Sequence, residues 1–441
     1  MNTTSSEPTS ILIREGRIVD PSSQKDGAGD LLIENGKVTA VDGPGKIPVA
    51  RAQHVIEAKD LWVFPGLIDV HVHLREPGQE YKEDIRSGTF AAVAGGFTSV
   101  ACMANTVPVN DSPQITAFIR ERARSGAACR VFPIGALSKG LKGEELAEIG
   151  GMVSEGAVAI SDDGMPVMNS YLMRKAMDYA CAFGVRIISH AEDCHLVGQG
   201  VMNEGARSTT LGLRGNPAAA EEILVAREIS LSRLTGCPVH IAHISTRLGL
   251  EHVRRAKEEG LLVTAEVSPH HLTLTDDAVA TYDTHYKMAP PLRTAEDVEA
   301  LRQAVAQGVI DVIATDHAPH GTVDKLTEFD VAANGIIGLE TAVSVTLKLV
   351  LEGKLPLGRW VESFTRAPAK LIGQDLGTLR VGAEADVTII DPKAKWVLSE
   401  NEIFSKSKNS PFLGWEFTTR VHTTIVGGKV RYEVKRGRPR H

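Results

Sequence analysis

The chain has 441 residues, of which 43% are hydrophobic and 23% are charged, and its formal net charge is −7. This composition is typical of a globular protein with a large core, and the negative charge argues against nucleic-acid or membrane partners, which select basic patches. Five cysteines without a CxxC pair, no secretory signal pattern and no apolar stretch near the ~18 residues of a membrane span predict a cytoplasmic protein with reduced thiols.

Both ends of the chain have the pattern of short strands joined by tight turns. Near the N-terminus, two apolar runs flank a predicted turn at Glu15-Gly16, and Asn35-Gly36 predicts a two-residue hairpin; Gly427-Gly428 predicts another near the C-terminus. Chain termini often lie close together, so these ends favour one shared domain. We predict a small composite β-sandwich domain built from residues 1–65 and 376–441.

Between these ends, strand patterns alternate with helix patterns. The predicted strands lie at 67–74, 98–103, 130–136, 157–161, 185–189, 239–244, 261–267 and 309–315. Eight consecutive β-then-α units are typical of a (β/α)8 barrel of the TIM type, in the α/β class, here over residues 66–375. The alternative, a doubly wound sheet, needs a glycine-rich phosphate turn after its first strand, and Leu74-Arg75-Glu76-Pro77 is not one.

Three loops of the predicted barrel are long, at 192–217, 270–294 and 317–338. They follow strands five, seven and eight, so they lie at the carboxyl ends of the strands, where barrel enzymes form their active sites. Long loops in a compact domain are usually functional or disordered. We therefore expect these loops to surround the site.

Five of the predicted strands end in histidine or aspartate. These strand ends carry His71 and His73, Asp162 and Asp163, His190, His243, and Asp316. A single histidine at a strand end is more often structural than a ligand, but packing alone rarely places such residues at the same end of five strands. His71 and His73 are two residues apart, so they project from the same face of their strand and can share one metal ion.

Imidazole and carboxylate groups together suit Zn²⁺, or less often Mn²⁺ or Co²⁺. One of the two neighbouring aspartates and the other five residues make six candidate protein ligands. Six ligands exceed one tetrahedral zinc, so the set predicts two metals that share a bridging group. A water between two metals would lose a proton near neutral pH and act as the nucleophile. Asp316 is the predicted proton carrier to the leaving nitrogen as well as a ligand; the alternative is a ligand only.

Three further residues at the predicted mouth suit a substrate. Arg75 follows the histidine pair and cannot bind a metal, so it is predicted to hold a substrate carboxylate in a bidentate manner. The alternative is a surface ion pair with Glu76 or Glu80. Asn105, after strand two, and His320, beyond strand eight, are candidate donors to the same substrate.

Eight motifs between residues 69 and 320 together resemble the bacterial class I dihydroorotases of the amidohydrolase superfamily. In chain order they are DVHVHLREPG at 69–78, MANT at 103–106, SDDG at 161–164, HAED at 190–193, AHIS at 242–245, SPHHL at 268–272, PPLR at 290–293 and TDHAPH at 315–320. The order and spacing are family-like, and the family also carries a small composite β domain.

The resemblance implies a two-zinc enzyme that interconverts (S)-dihydroorotate and N-carbamoyl-L-aspartate in pyrimidine biosynthesis. It implies His71, His73, Asp163 and Asp316 as ligands of one zinc, Asp163, His190 and His243 as ligands of the other, and a bridging hydroxide. Asp316 would be the catalytic acid and base. The implied substrate contacts are His73, Arg75, Asn105, Ala289, His320, Asn334 and Gly335, the last two on a mobile loop over the ring.

Two positions carry information beyond the motifs. Many members of the superfamily bridge their metals with a carboxylated lysine at strand four, whereas this strand ends in Asp162 and Asp163, so we expect an aspartate bridge. Neighbouring strand residues face opposite ways, so only one can bridge, and the family pattern favours Asp163. Ala289 stands where the family usually has asparagine, so one hydrogen bond to the substrate is expected to come from a backbone group or a water.

Two rival functions remain at this stage. A hydantoinase- or allantoinase-like hydrolase would also use two metals on a barrel. Such relatives bind neutral rings, so the predicted carboxylate contact of Arg75 argues against this function. A silent homologue that serves as a structural partner of aspartate transcarbamoylase would lack metal ligands that this chain retains. The resemblance further implies a homo-oligomer, a dimer, with aspartate transcarbamoylase as a candidate partner and no nucleic acid or membrane.

Overall fold

A computed structural model describes residues 10–434; residues 1–9 and 435–441, the outer ends of the predicted β domain, lie outside the described residues. Eight parallel strands form the central sheet, in chain order. They are Leu67–Val72, Phe97–Cys102, Arg130–Ala136, Ala159–Ser161, Ile187–Ser189, Val239–Ile241, Val263–Val267 and Val312–Ile313. The backbone N–H of His73 donates to the carbonyl of His317 (2.9 Å) and joins strand eight to strand one, which confirms the predicted barrel.

Helices cover the outside of this barrel. They are Ile85–Ala94, Pro113–Gly126, Ile149–Ser154, Ser170–Ala182, Ala218–Thr235, Arg247–Glu258, Ala295–Gln307, Ala342–Leu351, Leu357–Phe364 and Arg366–Leu371. All six residues of strand one are buried, as are all six of strand two. Continuous burial of this kind is typical of parallel strands that are packed on both faces. Among residues 10–434, no helix has both the length and the apolar character to cross a bilayer.

The two ends of the chain build a second eight-stranded sheet. Its strands are Ser10–Asp20, Lys25–Glu34, Lys37–Asp42, His54–Glu57, Trp62–Pro65, Val387–Asp391, Arg420–Val426 and Lys429–Glu433. The N-terminal and C-terminal parts meet where Val63 pairs with Ile389 in antiparallel register. The hairpins predicted at Asn35-Gly36 and Gly427-Gly428 are both present.

The turn predicted at Glu15-Gly16 is wrong, because Ser10–Asp20 is one continuous strand with a β-bulge at that point. Glu15 has a φ of 59°, and its N–H donates to the side chain of Asp30 (2.9 Å) rather than to the ladder. A side chain at Gly16 would meet Val63 at 2.6 Å. A residue with positive φ followed by glycine suits a bulge as well as a turn, so the local sequence did not distinguish them.

The long loops at the carboxyl ends of the barrel strands contain short elements. The loop after strand five contains Cys194–Val197, Ala206–Leu211 and a two-stranded sheet of Met202–Asn203 with Gly215–Asn216. The loop after strand seven contains the 3-10 turns Asp276–Thr281 and Thr284–Tyr286, and the loop after strand eight contains the helix Thr322–Lys325. A segment after Val387–Asp391 leaves the terminal sheet, forms the short pair Trp396–Val397 with Glu416–Phe417, and packs against these loops.

Candidate active site

Asp163 lies at the centre of the residues that were predicted to bind metal. Its Oδ1 is 3.3 Å from Nε2 of His71, 3.5 Å from Nδ1 of His190 and 3.5 Å from Nε2 of His243. Its Oδ2 is 3.6 Å from Nε2 of His73. All five side chains are buried, and they come from the ends of strands one, four, five and six. The structure thus brings these predicted ligands together around one carboxylate.

Asp316 approaches the same cluster from strand eight. Its Oδ1 is 3.1 Å from Nε2 of His73 and 3.4 Å from Nε2 of His71. Burial disfavours the charged form, but the charge of His71 and the close approach of His73 outweigh it and lower the pKa of Asp316 to about 2. Asp316 is therefore ionised at neutral pH and able to bind a cation or to accept a proton.

Asp162 and Asp163 face different ways, as their strand positions required. The carboxylate of Asp162 accepts hydrogen bonds from the backbone N–H groups of His190 (3.0 Å) and Val167 (2.9 Å), so it supports the loop and does not join the cluster. Asp163 alone of the two points at the histidines. The geometry therefore agrees with the choice of Asp163 as the bridging residue.

The cluster has the properties of a metal site. Three groups, His71–His73–Asp163, His71–His243–Asp316 and Asp163–His190–His243, each have ligand atoms within 4.8 Å of one another. Nε2 of His71 and Nδ1 of His190 are buried without a hydrogen-bond partner. Buried nitrogens that face two carboxylates and make no hydrogen bond are costly unless a cation lies between them. The donor set thus fits two metal ions that share Asp163.

A second ring of side chains holds the histidines in orientation. Nδ1 of His71 donates to Oε1 of Glu266 (2.5 Å), and the other oxygen of Glu266 accepts from Nε2 of His240 (3.0 Å). Nε2 of His190 donates to Glu192 (3.2 Å). Such carboxylates fix the tautomer of a metal-binding histidine and leave its other nitrogen free. Neither glutamate was predicted to have a role, although a charged residue inside the largely buried strand Val263–Val267 was a signal for Glu266.

The predicted substrate residues line a cavity of about 550 Å³ above the cluster. They are His73, Arg75, Asn105, Ala289, His320, Asn334 and Gly335, and the predicted proton carrier Asp316 lines the same cavity. Leu141, Met165 and Met288, which were not predicted, add an apolar side to this cavity. The methyl group of Ala289 offers no hydrogen bond, so polar recognition in the cavity comes from the other side chains and from the backbone.

Arg75 is buried at the edge of this cavity. Its Nε donates to the carbonyl of Pro319 (3.2 Å), and its NH2 group is 3.4 Å from Nε2 of His320. The alternative ion pair is not formed, because Glu76 pairs with Arg122 (2.6 Å), and among residues 10–434 Arg75 makes no ion pair. Burial lowers the pKa of Arg75 to about 10, so it stays cationic at neutral pH. A buried cation without an acidic partner suits a bound carboxylate.

His320 lies between two cations. Arg75 is on its Nε2 side, and Nζ of Lys82 is 3.3 Å from its Nδ1. Burial and these two charges lower the pKa of His320 to about 2, so the imidazole is neutral. Lys82 was not predicted from the sequence, because only the folding of the loop after strand one brings it to His320. Arg75 therefore supplies the positive charge beside the neutral His320 in the cavity lining, while Lys82 contacts His320 and also pairs with Asp324 (3.5 Å).

Three site residues have a strained backbone. Arg75, His243 and Asp316 have φ values of 59°, 30° and 47°, a region that residues other than glycine rarely adopt. Each such residue costs on the order of 1–3 kcal/mol, and strain of this kind concentrates at functional sites. Two of the three were predicted as ligands and the third as the carboxylate anchor.

Comparison with known proteins agrees with this geometry. Residues 61–248 match the family model described as dihydro-orotase-like. The chain is 53% identical to the dihydroorotase of Geobacter metallireducens, over 96% of this chain and 99% of that protein, and 54% identical to the dihydroorotase of Citrifermentans bemidjiense, over the same shares. This chain belongs to the dihydroorotase family. The resemblance found from its motifs is thereby confirmed.

Solved structures of hydantoinases share the fold of this dihydroorotase family member. The L-hydantoinase (dihydropyrimidinase) of Arthrobacter aurescens superposes with a TM-score of 0.87 at 27% identity, covering 96% of each chain. The D-hydantoinase (dihydropyrimidinase) of a Thermus species superposes with a TM-score of 0.82 at 27% identity, covering 96% of this chain and 95% of that one. Hydantoinases, the rival function, therefore have the same architecture as this chain. The higher sequence identity, 53% and 54% to the dihydroorotases against 27% to these hydantoinases, favours dihydroorotase.

Proposed function

We propose that this protein is a dihydroorotase, which reversibly hydrolyses (S)-dihydroorotate to N-carbamoyl-L-aspartate in pyrimidine biosynthesis. The observation that carries the proposal is Arg75, a buried guanidinium beside the histidine–aspartate cluster that has no acidic partner within residues 10–434. Dihydroorotate carries a ring carboxylate that a neutral hydantoin lacks, and a carboxylate is the group that a buried arginine recognises. The named relatives at 53% and 54% identity support the same assignment.

We propose two zinc ions per chain as the cofactor. His71, His73 and Asp316 would hold the first with Asp163, and His190 and His243 would hold the second with the same Asp163. When bound, such a metal pair lowers the pKa of a water and polarises the amide carbonyl. The ligands are all imidazole and carboxylate, without a lysine at strand four, so assembly of this site would not depend on carbon dioxide.

The side chains then divide the work of hydrolysis. Arg75, with Asn105 and His320, holds the ring carboxylate and so orients the ring amide toward the cluster. Asp316 accepts a proton from the attacking water and delivers it to the ring nitrogen as the C–N bond breaks. In the cyclisation direction the same carboxyl group takes this proton back from the ureido nitrogen. Ala289 contributes shape and no side-chain hydrogen bond.

We further propose the organisation and setting of the enzyme. The barrel would comprise residues 66–375 and the composite β domain residues 1–65 and 376–441. The protein would be a cytoplasmic homodimer, with aspartate transcarbamoylase as the candidate protein partner. Light scattering on the purified chain, alone and mixed with that enzyme, tests both associations.

A direct assay tests the activity. Loss of dihydroorotate would be followed spectrophotometrically with the purified protein, after treatment with a chelator, and after zinc is restored. We expect turnover that the chelator abolishes and zinc recovers, and a much lower rate with hydantoin or allantoin. Preferential turnover of a neutral ring would favour the hydantoinase-like rival. No turnover of any ring by the zinc-loaded protein would favour a catalytically silent role.

A further inference from the structure

A segment near the C-terminus, residues 403–412, packs against the loops that follow strands one and eight of the barrel. Alternate side chains of this segment, Ser405, Ser407 and Asn409, are buried and turn toward the barrel loops. Ser405 donates to Glu83, and Ser407 donates to the carbonyl of Lys82 (2.7 Å), so this segment contacts the loop after strand one. Asn409 contacts the loop after strand eight, which carries His320, one of the three predicted carboxylate contacts.

Asn409 uses every hydrogen-bonding group of its side chain in these contacts. Its Oδ1 accepts from the backbone N–H of His320 (3.1 Å). Its Nδ2 donates to the carbonyls of Ala318 (2.9 Å) and Gly335 (3.0 Å). Its own carbonyl accepts from the N–H of Ile337 (3.1 Å). The residue is only 2% exposed, so water does not compete for these bonds.

Asn409 bonds to the backbone on both sides of Pro319, the residue whose carbonyl Arg75 contacts. Ala318 and His320 are both held by Asn409, and Pro319 between them accepts the hydrogen bond from Nε of Arg75 (3.2 Å). The imidazole of His320 is the other neighbour of that guanidinium. A shift of this tripeptide would therefore move both the anchor of Arg75 and the ring beside it.

The same amide also holds Gly335, a later part of the loop after strand eight, close to His320. Gly335 lines the cavity, and a side chain at this position would lie 2.7 Å from Cδ2 of His320 and 2.8 Å from the carbonyl of Ala318. The hydrogen bond from Asn409 to the Gly335 carbonyl keeps these two parts of the loop after strand eight in close contact. None of the six predicted metal ligands is bonded to Asn409.

We infer that Asn409 is a positioning residue for substrate recognition, which fixes Arg75 and His320 in the geometry that binds the ring carboxylate. The inference rests on the proposed function, because it assigns Arg75 to the carboxylate of dihydroorotate. Asn409 acts through the 318–320 backbone and does not touch the reacting atoms. Its loss would therefore raise KM and leave the metal cluster and kcat nearly intact.

Two variants test this role. Asn409→Ala removes all three side-chain bonds, and Asn409→Asp, which has the same shape, keeps the acceptor for His320 but loses both donors. We expect KM for dihydroorotate to rise about tenfold in each, which lies within the effect of losing three or two buried hydrogen bonds, with kcat changed by less than about threefold. The zinc content should match that of the wild type. The matched control is Ser410→Ala, whose hydroxyl is buried in the same segment but bonds only within it, to the N–H of Phe412.

A double-mutant cycle separates positioning from general destabilisation. If Asn409 acts through Arg75, the KM increase of the double variant Asn409→Asp, Arg75→Ala differs from the product of the two single increases. Independent effects would give that product. An unchanged KM, a fall in kcat accompanied by zinc loss, or multiplicative effects would each overturn the inference while the wild type remains active. An inactive wild type would instead contradict the proposed function, and the inference with it.

Discussion

Oδ1 of Asn105 lies 2.8 Å from Nδ1 of His73, so one amide connects a predicted metal ligand to the predicted carboxylate site. The amide oxygen accepts the imidazole N–H, which leaves Nε2 of His73 unprotonated where it faces Asp316. The amide nitrogen is then the group that Asn105 can offer to the cavity. Two functions predicted separately from the sequence thus depend on the orientation of one side chain.

Substitutions at Asn105 should separate these two functions. Asn105→Asp keeps an acceptor for His73 but loses the donor and adds a negative charge, so we expect normal zinc content and a KM for dihydroorotate raised about tenfold or more. Asn105→Ala loses both bonds, so KM should rise and zinc should also be lost more easily to a chelator. Zinc analysis after dialysis and steady-state kinetics measure the two effects. Equal zinc retention by both variants would contradict the link to His73.

Asp316→Asn should abolish turnover without removing the substrate site. Asparagine cannot accept the proton from the attacking water, so we expect kcat to fall by about 10²–10⁴-fold. Arg75 and Asn105 are unchanged, so dihydroorotate should still bind, which calorimetry on the zinc-loaded variant can measure. A rate near that of the wild type would leave Asp316 as a ligand only, the alternative that the sequence left open.

Arg75→Ala should chiefly weaken substrate binding. A charge-assisted hydrogen bond contributes about 1.5–3 kcal/mol, so KM should rise by about tenfold to a hundredfold, and Arg75→Lys should recover only part of this because it cannot bond Pro319 and a carboxylate in the same fork. Arg122→Ala is the matched control, since Arg122 pairs with the neighbouring Glu76 and is largely exposed. A similar KM change in the control would indicate a loop effect rather than loss of the carboxylate anchor.

Glu266→Gln should weaken zinc binding. Glu266 accepts from both His71 and His240, and an amide can accept from only one of them through its single oxygen. Loss of such an outer carboxylate typically costs 10–100-fold in metal affinity. Competition with a chromophoric chelator on metal-free protein measures this affinity without any assay of turnover. Unchanged affinity would show that His71 keeps its orientation through packing alone.

The barrel and the clustering of the predicted ligands could be predicted from the sequence, because both follow from local patterns and one topological rule. Parallel barrel strands all end at one face, so His71, Asp163 and Asp316 had to meet once the strands were recognised. Glu266 and Asn409 follow no such rule: the first lies 195 residues from its partner His71, and the second lies on a segment outside the barrel motifs. Only tertiary packing brings those residues to the site.

Stability should depend on pH through Glu228, which is fully buried on the helix Ala218–Thr235. Burial raises its pKa to about 7, although the charge of Arg227 opposes the shift, and its Oε2 has no hydrogen-bond partner. The folded protein therefore keeps a proton that the unfolded chain releases near pH 4.5. The stabilisation of the folded state by this proton, at most about 3 kcal/mol, is fully present below pH 4.5 and is lost as the pH rises through about 7.

Glu228→Gln should remove this dependence, because glutamine stays neutral at every pH. We expect the melting temperature of the variant, relative to that of the wild type, to be higher at about pH 8 than at about pH 5. Only the wild type loses stability over that range. Scanning fluorimetry on the zinc-loaded proteins measures the difference, and Glu258→Gln, at an exposed position on a neighbouring helix, is the control. A difference between variant and wild type that is the same at both pH values would mean that Glu228 is ionised in the folded protein throughout, with Arg227 compensating its burial fully.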